Sequence, residues 1–518
     1  MKLKKAMALL LAAAMTTAML PMAAMAEEEE VAADSTESGS EDTAEINVVL
    51  LTLSPIDTEA SQHVADALNE MLLDKINVQA NFQWMDASNY MQQVPMMLQA
   101  SEQVDVLMFT PMPGAGYDSF MNQGQLMDIT DYLDEYGQDI KSLMGDYLKA
   151  TSKDGRVYGV SCNADLSQKW AFDIRGDILD NLGLTEDARN AKSWTDLEKI
   201  FAAIKEDGTV PNVLINADAE GSIITTQPFL LKGDSFADAY WVDVLGDSYQ
   251  YVYGDPADNK VKNYFANEDY INGLKKAREY YEAGYIYKDA STAQDYGTTL
   301  IKNGVGAVMA HAVETGNEAT MSAGSGFPDV EVDVTNAKVA TGSFRKFGFA
   351  VPVTSAEPEA AVKFLNLLYT DQDVMDTLTW GEEGVDWVKK DDGTAAYPDG
   401  VTAETVQYHT ADFLYGNRMQ ITPWEGEGAD TLREVQKAGN AEMELSPFFG
   451  FSVDSTAVAE KIAAVKNVVD QYKPSLAAGV VEDVDGTVQK MLSEMDAAGM
   501  QDILAEYQSQ LDAWLAQQ

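Results

Sequence analysis

The sequence predicts an α/β fold of more than one domain, closed by a helical C-terminal region. Three observations predict it. Apolar strand-like runs alternate with amphipathic helical stretches from Ile46 onward, the chain is 518 residues long, and from about Ser446 apolar residues recur at steps of three and four. Alternating strands and helices give a parallel sheet with helices on its faces. Chains beyond about 250–300 residues divide into domains, so two or three are expected. Steps of three and four mark helix faces that pack onto a body.

The N-terminus comes first. Lys2, Lys4 and Lys5 form a positive start, Ala6–Leu20 an apolar run, and Ala24-Met25-Ala26 a small-x-small end before Glu27–Glu30. These are the parts of a cleaved secretory signal. The run is too short and too Ala-rich for a spanning helix, which needs about 20 strongly apolar residues. Removal of residues 1–26 and a working place outside the cytoplasm are therefore expected. Residues 27–45 are acidic, rich in Ser, Thr and Ala, and predict a disordered spacer. The only cysteine is Cys162, so no acyl anchor is expected at a cysteine behind the signal. One cysteine also makes no intramolecular disulfide and no Cys-based zinc site.

The fold proper is predicted to start at Ile46–Leu53, a buried-type strand ended by Ser54-Pro55. Residues 59–75 read as a helix with Val64, Leu68, Met71 and Leu72 on one face. Asn77–Met85 is a second strand, Ser88 a cap for a helix through Ala100, and Val104–Phe109 a third strand. Ligands of such sheets bind beyond the carboxyl ends of the strands. Here those ends are Ser54-Pro55, Trp84-Met85-Asp86 and Thr110-Pro111-Met112. Further on, Val157–Ser161 reads as a strand, Trp170–Leu182 as a strand and helix, and Ser193 as the cap of a helix to Lys205. Asp269–Glu282 is an amphipathic helix, residues 291–302 look helical, and Gly306–Ala310 and Phe347–Val353 are strands. Helices follow over Pro358–Tyr369 and Asp371–Thr379. In the last part, Val458, Ile462, Val465 and Val469 share one face, as do Leu504, Tyr507, Leu511 and Trp514 or Leu515.

Charge narrows the function classes. The chain carries 84 Asp and Glu against 35 Lys and Arg, a formal net charge of −49 at pH 7. Such a field repels nucleic acid and anionic lipid; it is also what a solvated surface carries. Only His63, His311 and His409 are present, so a histidine-rich metal site is not expected. Neither H-E-x-x-H, G-x-S-x-G nor a P-loop pattern occurs. Catalysis by a carboxylate pair stays open, because so many acids can supply one.

Several segments resemble extracellular solute-binding proteins of ABC importers, of the carbohydrate-associated family 1 class. Asp154-Gly155-Arg156-Val157-Tyr158-Gly159-Val160 resembles the family's strand at the crossing between lobes, with Ser161 in place of the usual Pro. Ala171–Leu179 resembles the next strand with its R-x-D start, and Ser193-Trp194-Thr195-Asp196-Leu197 a helix entry. Ser355–Asn366 resembles a late helix with P-E-A-A, and Trp380–Trp387 a glycine-rich segment. Asn467–Tyr472 and Gln510–Trp514 resemble the C-terminal domain of a Firmicute-type subfamily. The resemblance implies a two-lobe, periplasmic-binding-protein-like fold with a hinge, and a cleft that closes on ligand because the ligand contacts both lobes. On this reading residues 46–160 and about 292–345 form the N-terminal lobe, 161–291 and about 346–445 the C-terminal lobe, and 446–518 a helical region. It implies a monomer that hands a small solute, a sugar or oligosaccharide, to a membrane permease, without catalysis or cofactor.

Sugar rings present apolar faces to Trp and Tyr and hydroxyl edges to Asp, Glu, Asn and Arg. Candidates at strand ends and in loops are Ser54, Trp84, Asp86, Asn163, Asp165, Trp170, Trp241, Arg345, Trp424 and Glu425. Each Trp is equally a core residue by type. Trp194 and Trp514, on helices, read as structural, as do Trp380 and Trp387. A secreted glycan hydrolase, a receptor for peptides or another solute, and an adhesion or scaffold protein remain as alternatives.

Overall fold

The computed structural model describes residues 43–518 apart from positions 113, 165, 219–220, 226–228, 247–251, 337 and 426–428. The expected signal segment, most of the acidic spacer and the candidate Asp165 lie outside the described residues.

The chain first builds one lobe. Strand β1 (Ala44–Thr52) buries five consecutive residues at its end. Helix α1 (Thr58–Ile76) starts at Asp57, whose carboxylate accepts from the amides of Glu59 and Ala60. It lays Val64, Leu68 and Leu72 on the sheet and ends at Asn77 in the left-handed region. Strand β2 (Val78–Asp86) runs parallel to β1. Helix α2 (Ala87–Gln99) begins one residue before the expected Ser88 cap, because Asp86 leaves the strand extended and its carboxylate takes the Ser88 and Asn89 amides. Strand β3 (Val106–Phe109) is buried throughout and parallel to β1. Short helix α3 (Tyr117–Asn122) follows, then β4 (Val160–Ser161).

The second lobe opens with β5 (Lys169–Arg175) and α4 (Trp194–Asp207), which Ser193 caps through the Asp196 amide. A small antiparallel sheet of β6 (Asp243–Val244), β7 (Val252–Asp255) and β8 (Lys260–Asn263) precedes α5 (Glu268–Glu282). Strand β9 (Val308–Val313), helix α6 (Asn317–Ser325) and strand β10 (Asp329–Asp333) complete it. β5 lies between β9 and β10, antiparallel to both. Of residues 291–302, only Thr298–Lys302 forms an α-helix, because Gly297 precedes it at φ 57.

The chain then returns through β11 (Lys338–Val339) to the first lobe, where β12 (Gly348–Ala350) pairs antiparallel with β3 and β4. The first sheet is thus mixed rather than all parallel, in the order β2-β1-β3-β12-β4. Only glycine fits at Gly348, since a Cβ there would meet the Val160 carbonyl at 2.5 Å. Helices α7 (Pro358–Thr370), α8 (Gln372–Trp380) and α9 (Ala429–Glu442) and strand β13 (Glu444–Leu445) follow. Val339, Phe349, Leu365, Leu378 and Met443 share one core with Val48, Leu107 and Phe109, whereas Val308, Val330 and Val332 share theirs with Phe172 and Phe201. The expected lobe boundaries are therefore corrected: 292–334 stays in the second lobe and 339–449 belongs to the first. A short apolar strand suits the edge of either sheet, so its sequence does not say which lobe it joins.

Helices α10 (Ala459–Ala477), α11 (Val484–Ala497) and α12 (Met500–Leu515) finish the chain. Val465, Val469, Met491, Tyr507 and Leu511 bury against Val242, Tyr253, Tyr264 and Leu274 of the second lobe. Gln508 accepts from the Val261 amide at 2.8 Å, and Arg278 donates to the Gly479 and Val480 carbonyls. The C-terminal helices thus pack as an extension of the second lobe. Three passages join the lobes, near 162–169, 334–341 and 445–456, and β11 and β13 run side by side in two of them.

Candidate functional site

A cavity of about 200 Å³ sits where the lobes meet. Its walls come from the end of β3 (Thr110, Met112), from Asp118 of α3, from Asp243 to Gly246 of the second lobe, from Gln168, Phe451 and Val453 of the passages, and from Thr341, Arg345 and Lys346 where the chain re-enters the first lobe. A ligand held there touches both lobes, which is the requirement for ligand-driven closure.

Charged groups of both lobes meet at it. Arg345 Nη1 donates to Asp118 Oδ1 at 2.7 Å, Arg345 Nε donates to the Ala150 carbonyl at 2.6 Å, and the guanidinium stands 4.9 Å from the Tyr117 ring centroid. Ser452 donates to Asp118 Oδ1 at 2.9 Å, and Ser446 donates to Asp243 Oδ2. Burial pushes the Asp243 carboxyl up to about 7, against the lowering pull of its Ser446 hydrogen bond and the Arg345 charge. Arg345 Nη2, Asp243 Oδ1 and Tyr117 Oη are buried without a hydrogen-bond partner among the described residues. Buried polar atoms in native proteins are normally paired, and two of these three belong to residues that line the cavity, Arg345 and Asp243. Among the described residues no group of three His, Cys, Asp or Glu is placed to hold a metal ion.

Of the sequence candidates, Arg345 lies in this cavity. Ser54, Trp84 and Asp86 come together elsewhere, in an open groove of about 910 Å³ lined by first-lobe residues alone. There Trp84 stacks on Phe82 at 5.3 Å and Asp86 serves as the cap of α2. Asn163 donates its side-chain amide to Asn417 at 2.8 Å, tying a passage to the first lobe. Trp170 is 3% exposed and packs edge-on to Trp194 in the second core, beside a smaller cavity of about 240 Å³. Trp241 pairs with Phe229 in a hairpin of the second lobe. Trp424 joins Trp380, Tyr397 and His409 in an aromatic cluster of the first lobe, and Glu425 pairs with Lys390 at 2.8 Å on the surface. The expected Trp platform is thus not at the lobe junction: no Trp lines that cavity among the described residues, because large aromatics there gain more by packing within a lobe.

Sequence reasoning missed Asp118, Asp243, Thr341 and Ser452. The run Thr341-Gly342-Ser343 just ahead of Arg345 was the available signal, small polar residues at a chain passage. Thr110 and Met112, flagged as a strand end, do line the cavity.

Two lobes, three passages and a polar cavity at their junction define a solute-binding protein. Residues 61–375 match the family described as bacterial extracellular solute-binding protein, and the chain belongs to it. Residues 447–516 match a domain of unknown function, DUF3502. A carbohydrate ABC transporter substrate-binding protein of Streptococcus pneumoniae is 23% identical over 86% of this chain and 87% of its own. The crystal structure of the N-glycan transport solute binding protein NgtS from that organism superposes with TM-score 0.75, 21% identity and coverage of 91% of this chain and 99% of its own. NgtS in complex with Man5GlcNAc gives TM-score 0.65 and 21% identity over 92% of this chain and 99% of its own. Among the described residues no helix is long and apolar enough to cross a membrane.

Proposed function

We propose that this protein captures an oligosaccharide in the interlobe cavity and presents it, as a monomer, to the permease of an ABC importer. One observation carries the reading: Arg345 and Asp243, each with an unpartnered buried polar atom among the described residues, line a cavity to which both lobes contribute. Planar donors and carboxyl acceptors in fixed positions suit the hydroxyl edges of sugars. The relatives' names point the same way, since NgtS structures hold Man1GlcNAc and Man5GlcNAc. Capture rather than cleavage is favoured because Asp118, one of the two cavity carboxylates, is held by Arg345 and Ser452. Export rests on the Lys2–Ala26 segment.

The test is titration of the purified protein with Man1GlcNAc, Man5GlcNAc, other neutral oligosaccharides and peptides, following tryptophan fluorescence and melting temperature. A sugar at 100 times its Kd stabilises the folded state by about 2.7 kcal/mol, a readily measured shift. Arg345→Lys keeps a cation beside Asp118 but removes the planar fork, so sugar affinity falls at least tenfold. A shift with peptides and with no sugar sinks the sugar assignment. Glycan turnover that disappears in a cleft-acid variant sinks the non-enzymatic one.

A further inference from the structure

A second cavity, of about 500 Å³, lies next to the junction cavity and shares Leu245 and Gly246 with it as a common wall. One side of this second space is first-lobe chain: Gly114, and Ser119, Asn122 and Gln123 in and just after α3. The opposite side is the C-terminal region, with Ser455, Thr456, Ala463 and Asn467 on and before α10 and Tyr507 on α12.

Two features make this a distal extension of one groove rather than a seam. Its lining holds no acid in an acidic chain: with 84 acids in the sequence, no carboxylate lines it among the described residues, while hydroxyl and amide side chains, Lys466 and apolar residues such as Ile462 and Ile503 do. That composition suits a neutral polyhydroxylated guest and repels none of its oxygens. The walls also belong to different packed bodies. α10 and α12 are locked to the second lobe through one shared core, whereas α3 stands on the first. The segment between them is anchored to α3 at the near end only, by Ser452 on Asp118 and by Asn122 donating to the Val453 carbonyl at 3.5 Å.

We infer that the C-terminal helical region forms one wall of a distal subsite, and that it thereby sets the length of oligosaccharide the protein accepts. This rests on the cleft reading above. The same rotation that closes the cleft on Arg345 brings Asn467 and Ala463 toward Gln123, so a long ligand is clasped at two points and a short one at one.

The test uses the full exported chain and two probes, Man1GlcNAc and Man5GlcNAc, titrated by calorimetry. Ala463 is exposed on α10, so Ala463→Trp fills the groove without disturbing a core. The wild type is expected to bind the longer sugar at least tenfold more tightly. Ala463→Trp and the double variant Gln123→Ala with Asn467→Ala are expected to erase that gain and leave Man1GlcNAc within twofold. Both variants should melt within a degree or two of wild type. If the longer sugar keeps its advantage in both variants, the distal subsite is wrong and the cleft reading stands. If the wild type binds neither sugar nor any other neutral oligosaccharide, the cleft reading fails and the subsite with it.

Discussion

Arg345 and Asp118 form an ion pair of 2.7 Å with both side chains 7% exposed, joining two first-lobe residues that are 227 positions apart in the chain. Removing one partner of such a pair leaves the other buried and uncompensated, at a cost of about 3–5 kcal/mol. Asp118→Ala is expected to lose that much in denaturant unfolding. Adding Arg345→Met to it recovers part of the loss, because the orphaned charge is gone.

The Asp243 carboxyl, pushed up to about 7 by burial, links stability to pH. Unfolded, an aspartate titrates near about 3.9. Between the two values the folded chain holds a proton that the unfolded chain has released, so stability falls as pH rises from about 4 to about 7 and then levels. Melting curves at about pH 5 and pH 7.5 should show a smaller drop for Asp243→Asn than for wild type.

Cys162 is 3% exposed, its thiol donates to the Leu414 carbonyl at 3.2 Å, and burial raises its pKa far above the usual range. A buried neutral thiol is inert. Ellman's reagent is expected to leave it unmodified in the native protein and to modify one thiol per chain on unfolding.

Gly479, at φ 72, faces the Ala277 carbonyl, which a Cβ would meet at 2.3 Å. Gly479→Ala adds at least about 1–2 kcal/mol of backbone strain and pushes α10 off α5. The expected result is a lower melting temperature, with faster hydrogen exchange in the C-terminal helices than in the first lobe.

Trp84, Asp86 and Trp424 separate packing from recognition. Trp84→Ala and Trp424→Ala are expected to lower the melting temperature by removing partners of Phe82 and Trp380, and Asp86→Ala to loosen the start of α2. None should change sugar affinity measured by calorimetry more than twofold. A larger loss at Trp84 would move the site into the first-lobe groove.

Much of the local structure was legible. The apolar run after Glu45 became β1, the face of Val64, Leu68 and Leu72 became the buried side of α1, and Ser193 capped its helix. Arg345 was singled out and lies at the junction. The aromatic candidates were not separable by sequence, because a Trp at a strand end reads the same whether it faces solvent, as part of a groove, or a neighbouring ring. Trp170 sits beside Trp194 and Trp424 beside His409, and only folding shows those neighbours.

By itself the sequence determined the α/β class, the export signal pattern, the helical end and the family resemblance, because these rest on periodicity, capping and composition within short stretches. Only the tertiary structure decided that β12 returns to the first lobe, that α10 to α12 ride on the second, and that Asp118, Asp243 and Arg345 meet at one cavity. Those outcomes depend on which surfaces far apart in the chain bury each other, and a free-energy minimum over long-range contacts leaves no local mark in the order of residues.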